Sequence, residues 1–129
     1  MIVETSAVVA VVLGEPDAER FVEALTVPAL RLISAANLVE AGIVVEARQG
    51  PDAARDLAYL LEEVAIDVEP VDAAQARLAV DAWRRFGKGR HPAGLNLGDC
   101  FAYALARHRG EPLLFKGNDF TQTDVASVL

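Results

Sequence analysis

Asn96-Leu97-Gly98-Asp99-Cys100-Phe101-Ala102-Tyr103-Ala104-Leu105-Ala106 reads as the opening turns of a helix. Ala102, Tyr103 and Ala106 recur at the three-to-four spacing of one apolar face, and Asp99 shares that face. A carboxylate one turn ahead of core residues is poorly placed for water and needs a partner. The spacing Asn96-x-x-Asp99 also matches a capping box, in which an acid at the third helical position reaches back to the cap backbone. Spacing alone weighs these two roles about evenly.

Outward from this helix, short apolar runs alternate with helical patterns. Met1 to Val3 is a buried strand ending at Glu4. Thr5 or Ser6 caps a helix carried by Ala7 to Leu13, and Gly14-Glu15-Pro16-Asp17 breaks it. Glu15 or Asp17 opens the next helix, with Phe21, Val22 and Leu25 on its apolar side. Leu30 to Ile33 is a second strand. Ser34 starts a helix that runs to about Gln49 and stops at Gly50-Pro51. Asp52 to Val64 is helical, with Leu57, Leu60, Leu61 and Val64 in register. Ile66 to Val71 alternates apolar and acidic residues, as an edge or half-exposed strand does. Asp72 caps a helix through Phe86, expected to turn Ala76, Ala79, Val80 and Trp83 inward. Gly87 to Leu95 is a loop. The helix from Asn96 ends near Arg109-Gly110, Pro112 to Phe115 is a strand, and Val125 to Leu129 is a short final one.

This alternation predicts a single α/β domain over residues 1–129, with a mostly parallel sheet flanked by helices on both faces. Ligands of such sheets collect at the carboxyl ends of the strands. Glu4 and Asp119 both lie just past a strand, and so on that edge.

The 129 residues suffice for a real core, and 53% hydrophobic content excludes a disordered chain. A lone Cys100 excludes a disulfide framework and zinc-site spacing, and fits a reducing, cytoplasmic setting. The apolar start is interrupted by Glu4, which excludes a signal peptide or a membrane span there. The net charge of −7, from 12 basic and 19 acidic residues, opposes nucleic-acid binding taken alone. Two features soften that: Arg84, Arg85, Lys88 and Arg90 cluster in one segment, and acids that hold a metal no longer act as free negative charge.

Each acid has a plain structural explanation. Asn37-x-x-Glu40 repeats the capping-box form, Asp119 follows Gly117-Asn118 as a turn residue, and Glu4 ends a strand. Glu40 resists its explanation, because its helix starts earlier and its neighbours Ile43 and Val44 are apolar. Taken together the explanations weaken. Two carboxylates at about 4 Å repel by roughly 4 kcal/mol at an effective dielectric near 20. Lys116 could offset some of this, but a hard cation does so better, and an all-carboxylate set suits Mg²⁺ or Mn²⁺. His91 and His108 are expected at the surface and form no zinc cluster. Cations held by acids beside a basic loop suit phosphodiester hydrolysis.

The opening Met1-Ile2-Val3-Glu4-Thr5-Ser6-Ala7, the Glu40 helix, the run from Gly87-Lys88-Gly89-Arg90-His91 through Asn96-x-Gly98-Asp99-Cys100, and Leu114-Phe115-Lys116-Gly117-Asn118-Asp119-Phe120 together resemble PIN-domain ribonuclease toxins of the VapC type. The resemblance spans the chain. It implies a three-layer PIN-like fold and a Mg²⁺- or Mn²⁺-dependent endoribonuclease that cuts structured RNA such as tRNA or rRNA. It also implies a homodimer and a VapB-like antitoxin seated in the active-site groove. Carried over by position, the acidic quartet is Glu4, Glu40, Asp99 and Asp119, with Asp124 a weaker extra. Thr5 or Ser6 supplies a supporting hydroxyl, Asn96 orients Asp99, and Arg85, Lys88, Arg90 and Lys116 meet RNA. One departure stands out: the family usually carries Asp where this chain has Glu4. Glu4 is either a natural variant or an attenuating change made so that a toxic chain can be expressed, and both readings imply weaker activity than Glu4→Asp.

Two other readings compete. One is a catalytically weak PIN-like protein acting through antitoxin binding and autoregulation at DNA. The other, a phosphoacceptor receiver domain, is disfavoured because the strand at Ile66 to Val71 ends without a phosphoacceptor Asp.

Overall fold

A computed structural model describes residues 1–129. The elements in chain order are β1 (Ile2–Val3), α1 (Thr5–Val12), α2 (Ala18–Thr26), β2 (Leu32–Ser34), α3 (Ala35–Gln49), α4 (Pro51–Glu63), β3 (Asp67–Glu69), α5 (Ala73–Phe86), α6 (Leu97–Arg109) and β4 (Leu113–Leu114). The strands form one sheet in the order β3-β2-β1-β4, with every pairing parallel. The expected α/β class therefore holds. The anticipated last strand shrinks to a single bridge between Ser127 and Leu113.

Alternation along each strand builds the three layers. Val3, Ile33 and Leu114 point to one side, where they join Val8, Phe21, Leu25, Val45 and Leu57 from α1 to α4. Ile2, Leu32 and Leu113 point to the other, against Phe86, Tyr103 and Leu105 from α5 and α6. Residues one apart on a strand face opposite ways, so two-residue strands suffice to pin both layers. Burying each such side chain is worth about 1.5–3 kcal/mol. β3 is an edge strand, and both Asp67 and Val68 are exposed, so its apolar residue does not turn inward as strict alternation would have it.

The caps follow the chemistry of their residues. Ser34 accepts the Ala36 N–H, and Asp72 accepts the Gln75 N–H at 2.8 Å. Gly50 takes φ +79° between α3 and α4, a conformation that favours glycine.

The face of α5 is a correction. Its buried residues are Gln75, Ala79, Ala82 and Phe86, while Val80 and Trp83 are 48% and 45% exposed and Ala76 is exposed. The inward stripe is rotated toward α6, which packs against α5 and covers Ala79, Ala82 and Phe86. No helix is long and apolar enough to cross a membrane.

Candidate active site

The carboxyl edge of the sheet opens into a cleft of about 390 Å³ whose walls include Glu4, Glu40, Asp99 and Asp119. Each acid comes from a different place: the end of β1, the middle of α3, the first turn of α6 and the turn after β4. Topology alone brings them together.

Glu4 is 4% exposed. Its N–H bonds to the Leu114 carbonyl at 2.9 Å, which ties the ends of β1 and β4. Its carboxylate, and not Thr5 or Ser6 as expected, caps α1, accepting the Ser6 N–H at 2.8 Å and the Ser6 hydroxyl, because the helix already begins at Thr5. Ser6 Oγ in turn accepts the Lys116 N–H at 2.8 Å, so one hydroxyl braces both strand ends. The Thr5 hydroxyl donates to Glu40 Oε1 at 2.5 Å. Both hydroxyls thus hydrogen-bond acids of the cleft.

Asp99 is 7% exposed and does close a capping box: the Asn96 N–H donates to its Oδ2 at 3.0 Å, and Asn96 Oδ1 accepts the Asp99 N–H at 2.9 Å. Capping engages one oxygen and leaves Oδ1 for the cleft. The two roles weighed for this residue are compatible. Asp119 is exposed and faces Asp99 across the opening.

Asn37 was missed as a site residue. It is not a helix cap, because α3 begins earlier, at the Ser34 cap. Asn37 is fully buried, and its Nδ2 donates to the Gly98 carbonyl at 2.9 Å, stapling α3 to the start of α6. Gly98 lies directly under the Glu40 side chain: a Cβ there would push the Glu40 carboxylate aside. Its only sequence signal was an amide in the first turn of an apolar helix.

The electrostatics are those of crowded acids. Burial, with added repulsion from Asp99 and Glu40, pushes Glu4 up to about 7 against the opposing Ser6 bonds. Burial and the charges of Asp119 and Glu40 push Asp99 up to about 6. The nearest ammonium, Lys116, is held by Glu15 at 3.1 Å and Asp17 at 2.9 Å, so it does little to neutralise the quartet. That pairing explains why Asp17, at the start of α2, leaves the cap unfilled.

The donor set is all oxygen and suits a hard divalent ion. The side chains nonetheless turn to their local partners, and no three acids converge on a common point. The cleft offers the right atoms without a ready-made cage.

Two expected residues belong elsewhere. The Arg85 guanidinium bonds Tyr103 Oη at 3.2 Å and Asp124 at 3.0 Å, and lies over the Phe86 ring. The Tyr103 hydroxyl donates to Asp124 at 2.5 Å. Asp124 therefore anchors the C-terminal segment rather than joining the quartet, and Arg85 is not free for phosphate. Lys88 and Arg90 are exposed. His91 packs edge-on against Phe86, and His108 lies 3.8 Å from Asp72, both away from the cleft.

A parallel three-layer sandwich with acids at its carboxyl edge is a recognised architecture, and comparison defines it. The family model of the PIN domain matches residues 1–126, and the chain belongs to the PIN-domain family. Within that family it is similar to VapC ribonucleases. It is 51% identical over 128 residues to Ribonuclease VapC30 of Mycobacterium tuberculosis, covering 99% of this chain and 98% of the relative. It is 49% identical over 128 residues to Ribonuclease VapC of Mycolicibacterium smegmatis, covering 99% of both. In fold it matches M. tuberculosis VapC20, described as a toxin that cleaves the sarcin-ricin loop, with TM-score 0.78 at 22% identity over 97% of this chain and 95% of that one. It also matches VapBC2 of Rickettsia felis, solved bound to a promoter DNA fragment, with TM-score 0.71 at 14% identity over 98% and 94%.

Proposed function

We propose that this chain is a Mg²⁺- or Mn²⁺-dependent endoribonuclease, the toxin of a type II toxin–antitoxin pair, cutting tRNA or rRNA in the cytoplasm. The observation that carries this reading is the gathering of Glu4, Glu40, Asp99 and Asp119 in one cleft, four acids against Arg48 and a Lys116 already paired with Glu15 and Asp17. The similarity to proteins named ribonucleases supports the reaction class.

The four acids would hold the ion. When bound, it supplies a water of lowered pKa and a positive charge for the leaving oxygen. The chain's own residues do the rest. The Thr5 and Ser6 hydroxyls fix the Glu40 and Glu4 carboxylates, Asn96 fixes Asp99, and Asn37 holds α3 against α6. Lys88 and Arg90, with no acid bound to either, meet the RNA strand. A VapB-like antitoxin would block the open cleft. The exposed apolar groove of Val39, Ile43, Leu97 and Phe101 is the face for a second copy.

Asp99→Asn tests the reading, since Asn keeps the capping oxygen and loses the charge. Cleavage of RNA in Mg²⁺ or Mn²⁺ should vanish while circular dichroism and the thermal midpoint persist. Cleavage at full rate would reject it.

One observation favours a second reading, a catalytically weak member acting through its antitoxin and autoregulation at DNA: the acids do not converge, and Glu4 is turned to Ser6. Calorimetry with Mn²⁺ or Mg²⁺ separates the two. Binding at millimolar metal supports the nuclease, and none supports the weak member.

A further inference from the structure

Trp83 is a large aromatic side chain that neither core nor cleft absorbs. It is 45% exposed on the last turn of α5. Its ring is nonetheless held in place. A Cβ at Gly87 would overlap it, so the ring lies directly against the backbone of the turn. The Arg90 guanidinium sits 4.6 Å from the ring centre, and Arg90 Nε donates to the Arg84 carbonyl at 3.3 Å. The result is a fixed cation–π stack facing water.

Its position relates it to the acids. α5 and α6 pack together and are joined by a short loop, so the end of one lies beside the start of the other. The Leu95 N–H donates to the Phe86 carbonyl at 2.9 Å, and the Lys88 N–H to the Leu95 carbonyl at 3.0 Å. The base of the loop therefore lies one residue from Asn96, whose N–H holds Asp99.

Charge identifies the occupant. On a chain of net charge −7, Arg84, Lys88 and Arg90 cluster here, and none of them is in an ion pair. Free cations around a flat, half-exposed π-face match a polyanion that also presents flat rings. Unpaired RNA bases stack on aromatic side chains and on guanidinium planes, while a duplex hides its base faces.

We propose that Trp83 and Arg90 form a platform that takes an unpaired base of the RNA strand threaded past the acid cleft, with Arg84 and Lys88 on its phosphates. The proposal rests on the ribonuclease reading for the strand's purpose, but not for its chemistry of binding.

Trp83 is the chain's one tryptophan, so its fluorescence reports the contact directly. With EDTA present to prevent cutting, deca-adenylate should quench the emission saturably, and a ten-base-pair RNA duplex should not. Trp83→Ala should weaken deca-adenylate binding by about tenfold in fluorescence anisotropy of labelled RNA. Trp83→Phe, which keeps an aromatic face and guards against a folding artefact, should restore most of it. In metal-supported cleavage of a single-stranded RNA, Trp83→Ala should raise KM and spare kcat. No quenching by the single strand, or equal RNA affinity of wild type and Trp83→Ala, overturns the platform, including the case in which Trp83→Ala impairs only antitoxin binding. Quenching without cleavage by the wild type in Mg²⁺ and Mn²⁺ sinks the ribonuclease reading while supporting the platform. Cleavage with an unaltered Trp83→Ala does the reverse.

Discussion

Glu4 shows how one methylene changes a site. Its longer side chain reaches back to Ser6 and caps α1, and so it turns toward its own helix. An Asp at this position remains a good N-cap, since Asp ranks among the best cap residues, but its carboxylate is drawn back by about 1.5 Å, the length of one C–C bond. Mg²⁺ tolerates little distortion of its ligand shell, and misplacement near 1 Å can cost about 10²-fold in rate. Glu4→Asp should therefore raise metal-dependent RNA cleavage by at least about tenfold, on that scale, with the fold unchanged. Equal or lower activity, measured side by side with wild type, would count against the steric argument. The identities of the four acids were legible from their sequence positions. Asn37 was not, because a buried amide is recognised by its partner, and the Gly98 carbonyl lies 61 residues away.

Between elements, the informative contact is the one joining α5, α6 and the C-terminal segment through Arg85, Tyr103 and Asp124. The family resemblance implied Arg85 as a phosphate ligand and Asp124 as a weaker extra acid. Both are instead committed to Tyr103, and against some burial the hydrogen bonds from Tyr103 and Arg85, with the charges of Arg85 and Arg107, hold Asp124 below its ordinary value. Tyr103→Phe should lower stability by about 1 kcal/mol, the usual worth of such a bond, and leave cleavage unchanged. Urea unfolding and a cleavage assay check this together. Lost cleavage at unchanged stability would return Arg85 and Asp124 to the active site. The face of α5 was likewise misjudged: the apolar period fits two adjacent stripes, and the neighbour that chooses between them lies on another helix.

Across the whole molecule, the acid cleft makes stability depend on pH and metal. Glu4 rises from 4.5 to about 7 and Asp99 from 3.8 to about 6 on folding. Between those values the folded chain keeps protons that the unfolded chain has lost, so stability falls as pH rises through this window. The Glu4 shift alone corresponds to about 3 kcal/mol above neutrality. Asp17 and Asp124 are shifted downward and act oppositely, but only below their ordinary 3.8, outside the window. In EDTA the urea midpoint should be higher at pH 5 than at pH 7.5, and Mn²⁺ should raise it at pH 7.5 by binding the folded form. A midpoint that is flat with pH and blind to Mn²⁺ would refute this account of the cleft.

The order of strands and helices, the parallel sheet, most caps and the four acids are written in the chain itself. They depend on short-range rules: apolar period, cap chemistry, and the fact that parallel strands present their ends on one edge. Tertiary structure alone decided which face of α5 is buried, that Arg85 and Lys116 are already paired, and that Trp83 stands in water beside Arg90. Those outcomes depend on what each side chain meets from distant parts of the chain, and local sequence carries no record of that meeting.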